Sequence, residues 1–191
     1  MGIMKKKFKI SFFFSILFSL AFILNAKAID QEIQLNRLFS ELKDSKNNLQ
    51  AEKVEQKIWK IWSTHPTNAK LTSVLAKGSY YVNNNELLKA IDVFSEAINR
   101  DPSWAEAWNK RATVFYMMGE YQKSQNDIDN VLKLEKRHFG ALAGQGLVNI
   151  QLRNYEKAIE SYQKAQEIYP SMKSPQIMIN EIKNLIQKES I

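Results

Sequence analysis

Three consecutive segments of 34 residues align with one another without a gap, and this period constrains the fold more than any other feature of the chain. The segments are 71–104, 105–138 and 139–172. Both the size and the polarity of the side chains recur at fixed offsets in the three segments. Self-similarity at such a period is typical of repeat architectures, in which each unit buries its apolar face against the next unit. The period therefore predicts a linear array of like units.

Two positions of every segment hold small residues, and several others hold large apolar ones. Two helices that cross closely need small side chains where they touch and bulky ones beside the contact. Gly119, at the fifteenth position, is predicted to form the turn between the two helices of the middle segment. Pro102 and Pro170 end the second helix of their segments, since proline cannot continue a helix. The positions that specify the repeat are Gly78, Ala90, Pro102, Trp108, Ala112, Gly119, Tyr121, Gly146, Tyr155, Ala158 and Pro170.

This spacing resembles that of the tetratricopeptide repeat (TPR) family over the three segments. The resemblance implies an all-α fold, a right-handed α-solenoid of antiparallel helix pairs, in which the first helices of successive repeats line a concave groove. Trp108 is then expected in the core. Arg111 is expected to form a structural ion pair with Asp127 on the paired helix, because a half-buried guanidinium needs an acceptor.

Residues 29–70 are predicted to form a fourth, degenerate helix pair ahead of the three repeats. A turn is expected at 47–50, between two apolar stripes at helical spacing. Trp59 lies off its stripe and is expected either to pack on the next repeat or to be exposed, with packing favoured because aromatic side chains are usually buried. The stripes are Leu35, Leu38, Phe39 and Leu42, followed by Ala51, Val54, Ile58 and Ile61.

Residues 173–191 are predicted to form a capping helix after the last repeat. Ser174 is expected to be its N-cap and Pro175 its first helical residue, a position that proline favours. A single apolar stripe follows, as a solenoid needs to cover its open end. The stripe consists of Met178, Ile182 and Leu185.

The first 28 residues have the three parts of a secretory signal peptide: a start rich in lysine, an apolar run from Ile10 to Leu24, and the small-residue end Ala26-Lys27-Ala28. The apolar run is shorter than the roughly 20 residues that a membrane helix needs. We therefore expect cleavage after Ala28 and a periplasmic or secreted product. An uncleaved anchor is the alternative, and a membrane contact is expected only in that case.

The net charge of +7 belongs mostly to this leader. Five of the 27 Lys and Arg residues precede residue 29, so the remaining chain carries 22 basic against 20 acidic residues. A nearly neutral chain does not favour a nucleic-acid partner. The sequence has no cysteine, so its stability must come from packing and not from disulfides.

Residue types that carry out catalysis are scarce. The two histidines, His65 and His138, lie in different parts of the array, and neither a Gly-rich phosphate loop nor an H-E-x-x-H motif occurs. His138 is interpreted as a polar residue at a helix start, and His65 as a loop residue. The sequence therefore predicts no enzyme activity, no cofactor and no metal site.

The resemblance also places a row of side chains on the concave groove. The best-known peptide-binding members clamp a C-terminal carboxylate there with Lys, Arg and Asn. The matching positions are Leu75, Ser79, Lys110, Gly140 and Gly144. Lys110 stands where those members have Asn, and the other four positions hold Leu, Ser or Gly in place of Lys, Arg or Asn, so a different ligand is expected. The predicted partner-binding residues are Asn109, Lys110, Thr113, Tyr116, Met117, Leu147 and Gln151.

Together these features predict a non-catalytic, exported TPR scaffold that binds a protein or peptide in its groove. The alternative is a structural component that assembles with itself or docks to a membrane complex through a retained N-terminal segment. Neither interpretation requires a cofactor, and neither names the partner.

Overall fold

In the computed structural model the described residues are 26–189, and they form nine α-helices and no strand. The predicted leader lies largely outside this range. Helix α1 extends from residue 26, the first described residue, to residue 43. The others are α2 (Asn48–Trp62), α3 (Ala69–Asn83), α4 (Leu87–Arg100), α5 (Ala105–Met117), α6 (Tyr121–Leu134), α7 (Phe139–Gln151), α8 (Tyr155–Ile168) and α9 (Lys173–Glu189).

Helices α3 to α8 form three helix pairs that coincide with the three 34-residue segments. The two helices of each pair pack together, each pair packs on the next, and α9 packs on α8. The first helices α3, α5 and α7, followed by α9, also contact one another in succession. This row is what lines the concave side of a helical-repeat solenoid, so the predicted all-α repeat fold is confirmed.

The turn inside each repeat uses the same left-handed residue. Asn85, Gly119 and Arg153 all stand at the fifteenth position, and their φ angles are 59°, 75° and 58°. Glycine adopts this conformation without steric cost, whereas Asn and Arg reach it against a mild penalty. Position, more than residue type, therefore determines where the two helices of each repeat separate.

Close helix crossing explains the small residues at the eighth and twentieth positions. A Cβ atom added to Gly78 would lie 2.3 Å from the ring of Phe94, and one added to Gly146 would lie 2.5 Å from Tyr162. In the middle repeat the Ser124 hydroxyl donates a hydrogen bond of 2.8 Å to the Ala112 carbonyl. A side chain at Gly78 or Gly146 would therefore have to displace the facing ring.

Trp108 is less buried than the repeat pattern predicts. It packs beside two core clusters but remains half-buried. Its Nε1 donates a hydrogen bond of 2.9 Å to the Pro102 carbonyl, and the Arg111 guanidinium lies 5.1 Å from its ring. The polar edge of the indole therefore faces the loop before α5, and truncation should cost less than for a fully enclosed tryptophan.

Helix α9 begins one residue before the predicted N-cap. Ser174 and Pro175 lie within its first turn, where the missing N–H of proline has no helical partner to lose. The buried face also differs from the predicted stripe: Ile182 is buried as expected, but Leu185 is 40% exposed and Ile186 packs inward. The first residue of a helix can be predicted from sequence only to within one or two residues.

The N-terminal helix pair forms, with the turn slightly earlier than expected. Helix α2 begins at Asn48, and the Asn47 side chain caps it by accepting the backbone N–H of Gln50 at 2.9 Å. The predicted turn at 47–50 is thus a cap followed by the first helical turn. The expected stripe of α2 is buried from Ala51 to Ile58.

What this pair packs against was not evident from the repeat pattern. Its core cluster combines Leu42 and Ile58 with Trp62, Phe139 and Tyr169. Phe139 starts α7, and Tyr169 follows α8, so the pair packs on the third repeat although the first repeat adjoins it in sequence. The apolar face of α1 and α2 therefore lies across the array.

Candidate binding groove

The concave groove is open at one end, along the C-terminal halves of α5 and α7. We call this the open end; its residues are Thr113, Tyr116, Met117, Leu147 and Gln151. Met117 is 49% exposed and Leu147 is 36% exposed, while Thr113 and Gln151 are also exposed. Tyr116 is half-buried because its ring packs on Tyr121 at 5.5 Å. Five of the seven predicted groove residues are thus at least partly accessible.

A small pocket of about 80 Å³ lies between α5 and α7 at this open end. Tyr116, Gly144 and Leu147 contribute to its wall, and Ile128 of α6 forms part of its lining. A Cβ atom on Gly144 would have only ordinary contact with Ile128, at 3.7 Å. The absence of a side chain at Gly144 therefore leaves free space, which an apolar group of a partner could fill.

The opposite end of the groove, at the N-terminal halves of α5 and α7, is filled by α2. We call this the closed end. The Trp59 ring lies so close to Gly140 that an added Cβ would stand 2.5 Å from it. The Lys110 ammonium lies 5.8 Å from the centroid of the same ring, within reach of a cation–π contact. Trp59 thus packs as favoured from the sequence, but on α5 and α7.

A buried carboxylate anchors the closed end. Glu106 is almost fully buried, and one of its oxygens lies 3.1 Å from His138 Nε2 and 3.0 Å from the Asn109 amide nitrogen. The Lys110 ammonium stands 3.2 Å from the other oxygen, as an ion pair without hydrogen-bond alignment. Burial by itself raises the pKa of Glu106, but the hydrogen bond from His138 and the charges nearby hold it below its usual range.

His138 joins this carboxylate to the N-terminal pair. Its Nδ1 accepts the backbone N–H of Ala141 at 3.1 Å, which caps α7 and leaves the proton on Nε2, the nitrogen that donates to Glu106. The imidazole ring stacks on Trp62 with a centroid separation of 4.0 Å. The interpretation of His138 as a polar residue at a helix start is confirmed, because it is the N-cap of α7. Its stacking on Trp62 adds a contact with α2.

Two further polar contacts fasten the pair to the array. Arg137 donates to Glu32 of α1 at 3.1 Å and to Glu135 at 2.7 Å. Burial raises the pKa of Glu135, yet hydrogen bonds from Arg137 hold it below its usual range. His65 is a loop residue as predicted, it is buried there, and its Nε2 lies 2.7 Å from Asp101. Burial raises the pKa of Asp101, but hydrogen bonds from Ser103 and His65 lower it by more, so that it lies below its usual range.

One of the seven predicted groove residues, Lys110, therefore belongs to the closed end, and a second, Asn109, is buried at the border between this end and the pocket. Asn109 is buried and bound to Glu106, and Lys110 is half-buried between Glu106 and Trp59. Lys110 is not presented to a partner in this structure, whereas Asn109 borders the pocket at Gly144. The repeat positions predicted a groove residue at each, and Trp59 of α2 covers Lys110.

The same covering bears on the positions of the carboxylate clamp. Lys110 and Gly140 lie under Trp59, and Leu75 is buried. Ser79 donates to the Leu75 carbonyl at 3.2 Å, within its own helix. The space that a clamped chain end would need at Gly140 is thus taken by the indole of this chain.

The predicted pair of Arg111 and Asp127 lies outside the groove, between α5 and α6. The guanidinium donates to both carboxylate oxygens, at 2.8 and 2.9 Å, and its third nitrogen donates to the Ser95 hydroxyl at 2.9 Å. The structure thus brings the two residues together in a bidentate geometry and adds a link to the preceding repeat.

Within residues 26–189, no cluster of three or more His, Asp or Glu side chains could hold a metal ion. Over the same range, none of the helices combines the length and apolarity needed to cross a bilayer. His65 and His138 each face one carboxylate of a neighbouring segment. Each histidine thus links two segments of the chain through a carboxylate.

The chain resembles several proteins in sequence. The family model described as tetratricopeptide repeat matches residues 75–124 and 110–173, together more than half of the chain. A TPR repeat-containing protein of Rhizobium etli is 31% identical over 147 residues, covering 77% of this chain and 72% of that protein. Hsp70-Hsp90 organizing protein 3 of Arabidopsis thaliana is 25% identical over 114 residues, or 60% of this chain but only 20% of that protein.

Solved structures share the fold at lower identity. The first TPR of Spaghetti (RPAP3), bound to an HSP90 peptide, superposes with a TM-score of 0.60 at 19% identity, covering 62% of this chain and 94% of that one. The crystal structure of MamA gives a TM-score of 0.58 at 20% identity, covering 72% of this chain and 84% of that one.

Fold and groove together define an all-α helical-repeat protein of the kind that generally serves protein interaction without catalysis. The chain belongs to the tetratricopeptide repeat family.

Proposed function

We propose that this protein is a non-catalytic TPR scaffold that binds a protein or peptide segment at the open end of its groove. The observation that carries the proposal is the exposure of Met117 and of Leu147, the second of which lines the pocket at Gly144. Large apolar side chains on a folded surface cost solvation free energy unless a partner covers them. The lining is apolar or uncharged, which favours a partner that presents apolar side chains rather than a carboxylate chain end.

The chemistry of the open end suits an adaptable contact. Methionine is unbranched and polarizable, so Met117 can repack around different apolar groups. Tyr116 offers a ring whose position is fixed by Tyr121, and a fixed aromatic loses little entropy on binding. An amphipathic helix or extended peptide with one apolar residue opposite Gly144 would fit this surface.

Site-specific photo-crosslinking tests the proposal in the cells that make the protein. A photoreactive amino acid at Leu147 should capture a partner, because this position borders the pocket. The matched control carries the photoreactive amino acid in place of Lys123, an exposed residue of α6 outside the groove. Equal capture at both positions, or capture at Lys123 alone, would contradict the proposal.

Export is the second part of the proposal. Cleavage after Ala28 would remove the charged leader and the first helical turn of α1, whose residues 26–28 are exposed. The intact mass of the protein recovered from the envelope should correspond to a chain that begins at Ile29. A mass that includes Met1 would favour a retained anchor.

The alternative, a structural component that assembles or docks to a membrane complex, is favoured by one observation on α1. Ile29 and Ile33 are one helical turn apart, and they are 59% and 61% exposed. They continue the apolar character of the segment before residue 26. Replacing both with Ser should release the protein from membranes or lower its sedimentation coefficient if this alternative holds, and should change neither if the protein is a soluble scaffold.

A further inference from the structure

Four of the six methionines lie in the described part of the chain, and they differ in exposure. Met117 is 49% exposed and Met118 is 38% exposed, both at the end of α5. Met172 packs against the core cluster of the N-terminal pair, and Met178 packs against the cluster between α8 and α9. An oxidant dissolved in water therefore has readier access to the two thioethers of α5 than to those of the cores.

The chemistry of a thioether with a peroxide is simple and reversible. The chain has no cysteine, so no thiol competes for the oxidant. The sulfur lone pair attacks one oxygen of hydrogen peroxide, the O–O bond breaks, and the other oxygen leaves with both hydrogens as water. The sulfur is oxidised by two electrons and the peroxide is reduced. The product is a polar, chiral sulfoxide, which methionine sulfoxide reductases convert back to methionine.

The repeat fold accepts a polar side chain at the position of Met117. The 34-residue register places Asn83 and Gln151 at the same position of the first and third repeats, and both are exposed. Each of the three is the last residue of the first helix of its repeat. A sulfoxide at Met117 should therefore leave the helix pair folded and change only the chemistry of its surface.

Oxidation at this position changes the part of the surface that an apolar partner would cover. Met117 and Leu147 are the two large aliphatic side chains exposed at the open end. The oxygen of a sulfoxide accepts hydrogen bonds from water, and it loses them without replacement when an apolar group covers it. The pocket at Gly144 is not lined by Met117, so oxidation leaves the pocket itself unchanged.

We propose that Met117 is a reversible methionine-oxidation site, at which a peroxide makes the open end polar and weakens the binding of its partner. The effect on binding rests on the proposed function, whereas the reactivity of Met117 does not. Met118 shares the exposure, but it is the C-cap of α5 and lies outside the five residues of the open end. Its oxidation should leave binding unchanged.

A time course of the full-length protein in hydrogen peroxide, followed by peptide mass spectrometry, tests the reactivity. Met117 and Met118 should each gain one oxygen atom several-fold faster than Met172 and Met178. The melting temperature should stay unchanged while only the first two are oxidised, because neither lies in a core cluster. Oxidation of Met117 no faster than that of Met172, or only together with unfolding, would overturn the proposal.

Three single variants test the effect on binding, with the partner that crosslinking at Leu147 identifies. The purified protein is treated with peroxide, which is removed before the partner is added. Oxidation should weaken binding about tenfold in the wild type and in Met118→Leu, because a covered sulfoxide oxygen lacks a donor. Met117→Leu conserves the apolar volume and cannot form a sulfoxide, so it should bind equally before and after treatment. Met117→Gln, which places the third-repeat residue there, should bind weakly without peroxide.

Undiminished binding by wild-type protein whose Met117 is fully oxidised would overturn the effect on binding. The same holds if Met117→Leu loses binding after treatment as the wild type does. Failure of the proposed function has a different signature, because crosslinking at Leu147 would then capture no partner even before oxidation. The order in which the four methionines react is measured without a partner and is decided by mass spectrometry alone.

Discussion

The two ends of the groove are built from the same two helices, yet they differ in what covers them. At the closed end the N-terminal halves of α5 and α7 bury Glu106 and hold Lys110 and Gly140 against Trp59 of α2. At the open end the C-terminal halves of the same helices leave Met117 and Leu147 exposed. The difference teaches that equivalent repeat positions specify a groove, but they do not determine whether a partner can reach it. Helix α2, which lies outside the three repeats, determines that.

The largest effect is expected from removing the anchor of the closed end. Glu106→Ala would leave His138, Asn109 and Lys110 without their shared acceptor, and breaking a buried pair by removing one partner typically costs about 3–5 kcal/mol. Denaturant unfolding measures this loss. Glu160→Ala is the matched control, because that carboxylate is exposed in its pair with Lys164, and it should change stability by less than about 0.5 kcal/mol. Similar values for the two variants would contradict the anchoring role of Glu106.

The next effect concerns the indole that fills the closed end. Trp59→Ala should cost about 2–3 kcal/mol, less than for a fully buried tryptophan because the side chain is half-exposed. Gly140→Ala should be destabilising in the wild type, since its Cβ would meet the Trp59 ring at 2.5 Å. In the Trp59→Ala background the same change should be neutral or stabilising, because alanine favours a helix over glycine. A double-mutant cycle in thermal unfolding checks this, and strict additivity would mean that the two residues do not touch.

A smaller effect is expected from acid. Asp101, Glu106 and Glu135 all lie where the N-terminal pair meets the array, and the pKa of each is held below its usual value. A carboxyl whose pKa is lower in the folded state stabilises the fold above its unfolded pKa, near 4, and this contribution is lost as the pH falls through the folded pKa. Tryptophan fluorescence should therefore report undocking of α2 below about pH 4, from the usual carboxyl pKa. Glu106→Gln should flatten that pH dependence, and an unchanged profile would assign the transition to other groups.

The smallest effect on stability, with the largest on binding, is expected at the open end. Met117→Ser with Leu147→Ser replaces exposed side chains and should change the free energy of unfolding by less than about 0.5 kcal/mol. Pull-down with the purified variant should nevertheless no longer recover the partner that crosslinking at Leu147 identifies. Tyr116 is left intact because its contact with Tyr121 gives it a structural role. A variant that still binds its partner would place the binding surface elsewhere.

The repeat array could be predicted from sequence because it is encoded locally. Side-chain size at fixed offsets predicted the crossings at Gly78 and Gly146, and the fifteenth position predicted the turn at Gly119. Each of these contacts joins residues within one repeat or between neighbours. Trp108 was overestimated as core because the pattern does not show which edge of an indole meets a loop carbonyl.

The closed end could not be predicted in the same way. The stripe of α2 indicated which face would be buried, but nothing in a helical stripe says which distant surface covers it. Two signals were available in hindsight: the pair Trp59 and Trp62, and glycine at position 140 in the first turn of a helix, where it is unfavourable. Both become meaningful once the ring and the glycine are seen to touch. Lys110 was misassigned for this reason, whereas Asn109 is bound to Glu106 and still borders the pocket.

The packing of α1 and α2 on the third repeat also has a consequence for folding order. The Tyr169 hydroxyl hydrogen-bonds to Glu55 across 114 positions of sequence, whereas contacts inside the array join near neighbours. Local contacts form quickly, whereas closing a loop of this length costs conformational entropy before the contact between its ends can stabilise the chain. The N-terminal helices leave the ribosome first but are expected to dock last, after the third repeat exists. A newly made chain should therefore pass through a stage in which the array is folded and the closed end is still open.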